Sequence, residues 1–166
     1  RITLTAGYTV PVASGVHGQV VSFHDDSDVT VALFADGSAE PKYTVSVPGG
    51  TKDSSGQYTT TYDIPEVAPG TYTMQVSKKN HVTREYTITV GTDAVTQDVK
   101  IHLMGDINGD GRISIGDINQ ANLHAKGKKI LLGYELACAD INGDGRVTTS
   151  DVNKMNLHNK GKSLLW

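Results

Sequence analysis

Two stretches of the chain are near-copies of each other. Residues 106–127 read DINGDGRISIGDINQANLHAKG and residues 140–161 read DINGDGRVTTSDVNKMNLHNKG; they align without a gap, with fourteen of twenty-two positions identical. The differences include mild swaps, Ile113/Val147, Ser114/Thr148 and Ile118/Val152. A duplication this close commits the C-terminal part of the chain to two copies of one small unit.

Each copy opens with a twelve-residue loop rich in oxygen. The first offers Asp106, Asn108 and Asp110 at positions 1, 3 and 5, Arg112 at 7, Ser114 at 9 and Asp117 at 12. The second offers Asp140, Asn142, Asp144, Arg146, Thr148 and Asp151 in the same places. Calcium takes six to eight hard oxygen ligands at about 2.3–2.6 Å. Side chains at the odd positions supply some, position 7 supplies its main-chain carbonyl, and position 9 often acts through a water. Gly111 and Gly145 stand sixth, where the loop turns sharply and a Cβ is unwelcome. Three carboxylates in one loop repel each other unless a cation sits among them. A single such loop could be an ordinary Asx-turn; two, each closed by a carboxylate and each opening a helix, point to two bound Ca²⁺ ions. Aspartate rather than glutamate at position 12 departs from the EF-hand pattern, so the backbone must close the cage. Magnesium tolerates such crowded ligand sets poorly.

Each loop is expected to run into a helix of about ten residues, ended by Gly127 and Gly161 behind Lys126 and Lys160. Asp117 and Asp151 stand at the helix starts, where negative charge is favoured. Ile118, Ala121 and Ala125 share an inward face, as do Val152 and Met155, with Asn159 at its edge. Leu123 and Leu157 lie about 140° round from that face, in a polar frame. They form either a contact surface for another protein or a patch covered by segment 128–139 or a terminus.

Before about residue 103 the chain is different in kind. Short runs alternate apolar and polar residues with period two, as strands with one buried face do. Turn signals such as Asp36-Gly37, Pro48-Gly49-Gly50, Ser55-Gly56 and Pro69-Gly70 separate them. Strands are expected near 19–23, 29–34, 43–47, 58–64, 71–77, 84–90 and 95–103, with Ile2–Thr5 or Tyr8–Val12 a candidate for one more. This spacing predicts an antiparallel, immunoglobulin-like sandwich over 1–103, followed by a small all-α unit over 104–166.

Composition removes several classes. The chain of 166 residues has a formal net charge of -3, so it carries no basic signature for nucleic acid. No 18-residue apolar run exists for membrane insertion. Its one cysteine, Cys138, excludes an internal disulfide framework and sits in an apolar stretch that favours burial over reactivity. The chain starts at Arg1 with neither a methionine nor a leader-like stretch, and is expected to be a fragment or a processed form. Six scattered histidines, His17, His24, His81, His102, His124 and His158, show no metalloprotease spacing, and no nucleophile elbow or phosphate-cradling loop occurs. The cluster Asp25, Asp26 and Asp28 reads as a solvated turn. Catalysis is not expected.

Two calcium-loop-plus-helix repeats of this length, joined by a short linker, resemble a dockerin module, covering roughly 104–166. The resemblance implies a cohesin module as partner. It implies recognition positions just before and along each helix: Ile115, Gly116, Asn122, Leu123 and Lys126, then Thr149, Ser150, Asn156, Leu157 and Lys160. The repetition of Asn-Leu-His in both helices would permit two binding orientations, whereas Ile115-Gly116 against Thr149-Ser150 favours one. The first half, on Gly18-Gln-Val-Val, Val29-Thr-Val-Ala-Leu, Ser55-Gly-Gln-Tyr and Pro69-Gly-Thr-Tyr, resembles carboxypeptidase-regulatory-like or immunoglobulin-like β-domains. A small β-domain directly before a dockerin resembles the X-module–dockerin pairs of cellulosome scaffoldins. Such a pair implies a secreted polypeptide held extracellularly, on a cellulosome or the bacterial cell surface, with the X-module stiffening the dockerin. With almost no linker before Gly105, the two units should touch. The competing reading is a carbohydrate-binding β-domain with a structural calcium clip. It needs an exposed row of aromatics, and Tyr8, Tyr43, Tyr58, Tyr62, Tyr72, Tyr86, Phe23 and Phe34 fall mostly at inward positions. An intracellular calcium sensor fits poorly, because sensor loops follow a helix and Asp106 follows a strand.

Overall fold

The computed structural model describes residues 14–166. The candidate first strand and Tyr8 lie outside the described residues. Alternation translates into strands along the first half: β1 (Ser14–Ser22), β2 (Val29–Ala35), β3 (Tyr43–Val47), β4 (Thr51–Lys52), β5 (Tyr58–Val67), β6 (Gly70–Lys78), β7 (Arg84–Val90), β8 (Val95–Thr96) and β9 (Val99–Lys100). They form two sheets, one in the order β4-β5-β1-β8 with β9 also on β1, the other in the order β3-β2-β6-β7. The inward set of each sheet, including Val16, Val20, Val31, Leu33, Tyr62, Tyr72, Met74, Val76 and Ile101, makes one buried core between them. This is the sandwich that the alternation predicts.

Two points differ from expectation. The sandwich is not wholly antiparallel: β8 and β9 run parallel to β1. The chain crosses from one sheet to the other after β7 and lays its last strand alongside its first. That last strand is also broken between Thr96 and Val99. Gln97 turns its carbonyl to the Tyr62 hydroxyl at 2.7 Å, and Asp98 Oδ1 accepts the Gln19 N–H at 2.9 Å, so side chains replace part of the ladder. Gly18 lies under this crossing, where a Cβ would come within 2.2 Å of the Gln97 oxygen.

The second half holds α1 (Ile115–Ala125), α2 (Gly133–Ala139) and α3 (Thr149–Asn159). The helices α1 and α3 are the two predicted. They pack through Ile118, Ala121, Val152 and Met155 on a core completed by Ile107, Ile113, Leu131, Cys138, Ala139 and Val147. Ala125 is exposed rather than inward; α1 has by then climbed past the edge of that core. The sequence does not announce α2: it has seven residues, starts at a glycine and has no side-chain cap. Its presence corrects one argument, since the second loop does follow a helix, while the first follows a strand-like bridge between His81 and Leu103.

The two halves are joined by more than the chain. The Tyr134 hydroxyl on α2 donates to the Val82 carbonyl at 2.5 Å and accepts the His102 N–H at 3.0 Å. The Arg84 guanidinium lies 4.5 Å from the Tyr134 ring. Trp166 Nε1 donates to the Met104 carbonyl at 3.2 Å, and its ring packs against His158 and His24.

Candidate metal centre and helix face

Backbone and carboxylates organise each loop together. In the first, Asp106 Oδ1 accepts the N–H groups of Gly109 (2.9 Å) and Asp110 (3.1 Å), and Oδ2 accepts that of Gly111 (2.8 Å). Asp117 Oδ1 accepts the N–H groups of Ile107 (2.9 Å) and Asn108 (3.1 Å). The second loop repeats these bonds from Asp140 and Asp151. Gly111 and Gly145 adopt φ of +89° and +83°, the left-handed turn that the sixth position demands.

These bonds curl each loop around its carboxylates. In the first, an oxygen from each of Asp106, Asp110 and Asp117 lies within 4.8 Å of the others. Burial pushes the Asp106 carboxyl up to about 6, with the Asp117 and Asp110 charges adding to it and the N–H groups of Gly111 and Asp110 opposing. Burial also acts upward on Asp151, but bonds from Thr148, Asn142 and Ile141 outweigh it and hold that carboxyl below its ordinary value. A fully buried aspartate amid other carboxylates suits a hard divalent cation. The side chains that could hold it are Asp106, Asn108, Asp110 and Asp117 with the Arg112 carbonyl, and in the second loop Asp140, Asn142, Asp144 and Asp151 with the Arg146 carbonyl.

The position-9 hydroxyls have a structural task as well. Ser114 and Thr148 are the N-caps of α1 and α3, each in a capping box with the aspartate at position 12. Ser114 Oγ donates to Asp117 Oδ2 at 3.0 Å and accepts the Gly116 N–H at 3.2 Å. One aspartate therefore closes the loop and starts the helix.

The predicted contact positions lie on the outer side of both helices. Leu123 and Leu157 are 39% and 41% exposed, close to equivalent, and Ile115 is 68% exposed where its counterpart is Thr149. Gly116, Lys126, Ser150 and Lys160 are exposed, and Asn122 and Asn156 half-buried. Leu123 keeps its exposure although the segment after α1 turns back on it, the Lys128 N–H bonding the Leu123 carbonyl at 2.8 Å. The aromatic residues behave as expected for a core: Tyr62, Tyr72 and Phe23 are buried, and Tyr43, Tyr58, Tyr86 and Phe34 half-buried. Cys138 is buried too, which pushes its thiol up to about 12 and leaves it unreactive.

Some working residues were not singled out from the sequence. His124 Nδ1 accepts the Leu131 N–H and His158 Nδ1 accepts the Leu165 N–H, both at 2.9 Å. These histidines pin the segment after each helix; their recurrence at equivalent positions was the available signal. Lys78 is buried, its ammonium on the Ser22 hydroxyl (3.0 Å), the Phe23 carbonyl (3.1 Å) and the Asp25 carbonyl. It continues the inward series Tyr72, Met74, Val76, so the alternation itself placed it. The acidic turn at Asp25 is accordingly more than solvated: its carboxylate stands 3.9 Å from that ammonium.

Against known families, the second half of the chain finds a match. Residues 104–158 match the dockerin type I domain. The matched segment takes in both loops and nearly all of α3. No curated protein matches the chain. Among the solved structures similar to it are two type II cohesin–X–dockerin complexes from Acetivibrio cellulolyticus. An N-terminal interface mutant shows 22% identity over 87% of this chain and 94% of that one, with a TM-score of 0.35. A C-terminal interface mutant shows 21% identity over the same shares, with a TM-score of 0.36.

Proposed function

We propose that this chain is a calcium-dependent adhesion module. Its dockerin domain, over 104–166, binds two Ca²⁺ ions and uses the outer face of α1 and α3 to hold a cohesin. Its β-sandwich, over 1–103, serves as an X-module that supports the dockerin. Together they anchor a secreted polypeptide to a cellulosomal scaffold or to the cell surface. One observation carries the reading: two loops with the same oxygen donors lead into two helices that expose the same leucine, within a segment matching the dockerin domain. When bound, calcium neutralises the clustered carboxylates and locks each loop to its helix. The chain's own residues do the rest: Ser114 and Thr148 start the helices, and the leucines present the apolar contact.

The test is a cohesin panel titrated against the chain in millimolar calcium and again in chelator. Binding to at least one cohesin in calcium, lost in chelator together with helical dichroism, is the expected result. Unchanged affinity in chelator would refute the calcium dependence.

A further inference from the structure

The two metal loops are nearly identical in sequence but differently housed. A Cβ on Gly111 would lie 2.5 Å from Phe23 Cδ1, and one on Gly109 would lie 2.5 Å from His102 Nε2. At the matching Gly145 and Gly143 a Cβ would meet nothing within 4 Å. The backbone is not the cause, because the paired φ values are +89° and +83°, then +72° and +72°. His102 Nδ1 also bonds the Asp106 carbonyl at 3.1 Å. Asp106 is fully buried, whereas Asp140 is half-buried. Among the described residues, the first loop's carboxylates reach the mutual spacing of 4.8 Å; those of the second do not.

Phe23 follows β1 and His102 follows β9, so both contacts come from the sandwich. We infer that the β-sandwich is a built-in support for the first calcium loop, with Phe23 and His102 as its positioning residues, so that the two sites load in order, the first loop ahead and more tightly. A loop already shaped by packing loses less freedom when the ion arrives. The same packing excludes water, which strengthens the attraction between ion and carboxylates. The second loop faces solvent, and among the described residues no neighbouring side chain packs on its Gly143 and Gly145 to hold its shape. The inference rests on the calcium reading of the dockerin domain and adds a division of labour between its sites.

The test is calorimetric titration of Ca²⁺ into the metal-free full chain, with Asp110→Ala and Asp144→Ala assigning each step. Two steps are expected, the first-loop step about tenfold tighter or more. The matched pair Gly111→Ala and Gly145→Ala isolates the cause, since both carry the same left-handed strain and only one meets Phe23. Gly145→Ala should weaken its own site about fivefold; Gly111→Ala should weaken its own at least about tenfold more than that. Phe23→Ala should loosen the first step alone, and His102→Gln gives the same readout should Phe23→Ala fail to fold. Equal affinities in the wild type, equal losses in the glycine pair, or a tighter second loop would overturn the inference while leaving the calcium reading intact. No calcium uptake at all would overturn both.

Discussion

The Tyr134 hydroxyl offers a sharp test of how the two halves hold together. Tyr134→Phe removes one oxygen and nothing else. It leaves the Val82 carbonyl without its donor at 2.5 Å and the His102 N–H without its acceptor at 3.0 Å. The ring stays, so its stacking with Arg84, 4.5 Å away, and its edge contact with His102 survive, and no cavity forms. An orphaned buried backbone group costs about 1–3 kcal/mol. Val82, His102 and Tyr134 are half-buried, so water recovers part of this. The expected loss is therefore about 2 kcal/mol for the pair. Urea unfolding of the calcium-loaded chain is the assay. The single tryptophan, Trp166, sits on Met104 at the junction and reports its opening by fluorescence. With a slope of about 2 kcal/mol/M, the midpoint should fall by about 1 M. A shift below about 0.2 M would mean that the hydroxyl bridge contributes nothing net and that packing alone joins the halves.

Two further outcomes follow from the same structure. Leu123→Asp with Leu157→Asp should weaken cohesin binding by more than about 100-fold while calcium affinity holds, measured by paired titrations; retained binding would place the contact elsewhere. His81 accepts the Phe23 N–H at 3.0 Å and faces the Lys79 carbonyl at 2.7 Å, so the neutral ring is fully used. Burial lowers its value to about 4, with Lys78 and His24 adding repulsion. The folded chain then holds fewer protons than the unfolded one, so stability should fall as pH drops from about 6.5 towards 4, by at most about 3 kcal/mol. His81→Gln should flatten that slope in unfolding curves taken across the range; an unchanged slope would show that other groups cause it.

Local patterns carried most of what the sequence revealed. Period-two runs marked β2, β3, β6 and β7 almost to the residue, and the duplication marked both loops, α1 and α3. What stayed hidden depends on distant partners or on weak local signals. Nothing in Val95–Lys100 says that it will lie parallel to β1, because that pairing joins residues nearly eighty positions apart. The helix α2 is too short and too poorly capped to stand out, and forms where Tyr134 and Cys138 find partners in the rest of the fold. The unlike housing of the two loops was invisible for a further reason. Their sequences match, and the difference resides in Phe23 and His102, which neither loop contains.

The parallel pairing of β1 with β8 and β9 also decides how this molecule bears tension. If it is pulled by the front of β1 against a clamped helical unit, the load runs along the strands and shears them past each other. Gln97 N–H on the His17 carbonyl, Ile101 N–H on the Val21 carbonyl and Gln19 N–H on Asp98 must then rupture together rather than peel one by one. A tether exposed to flow would be well served by that geometry.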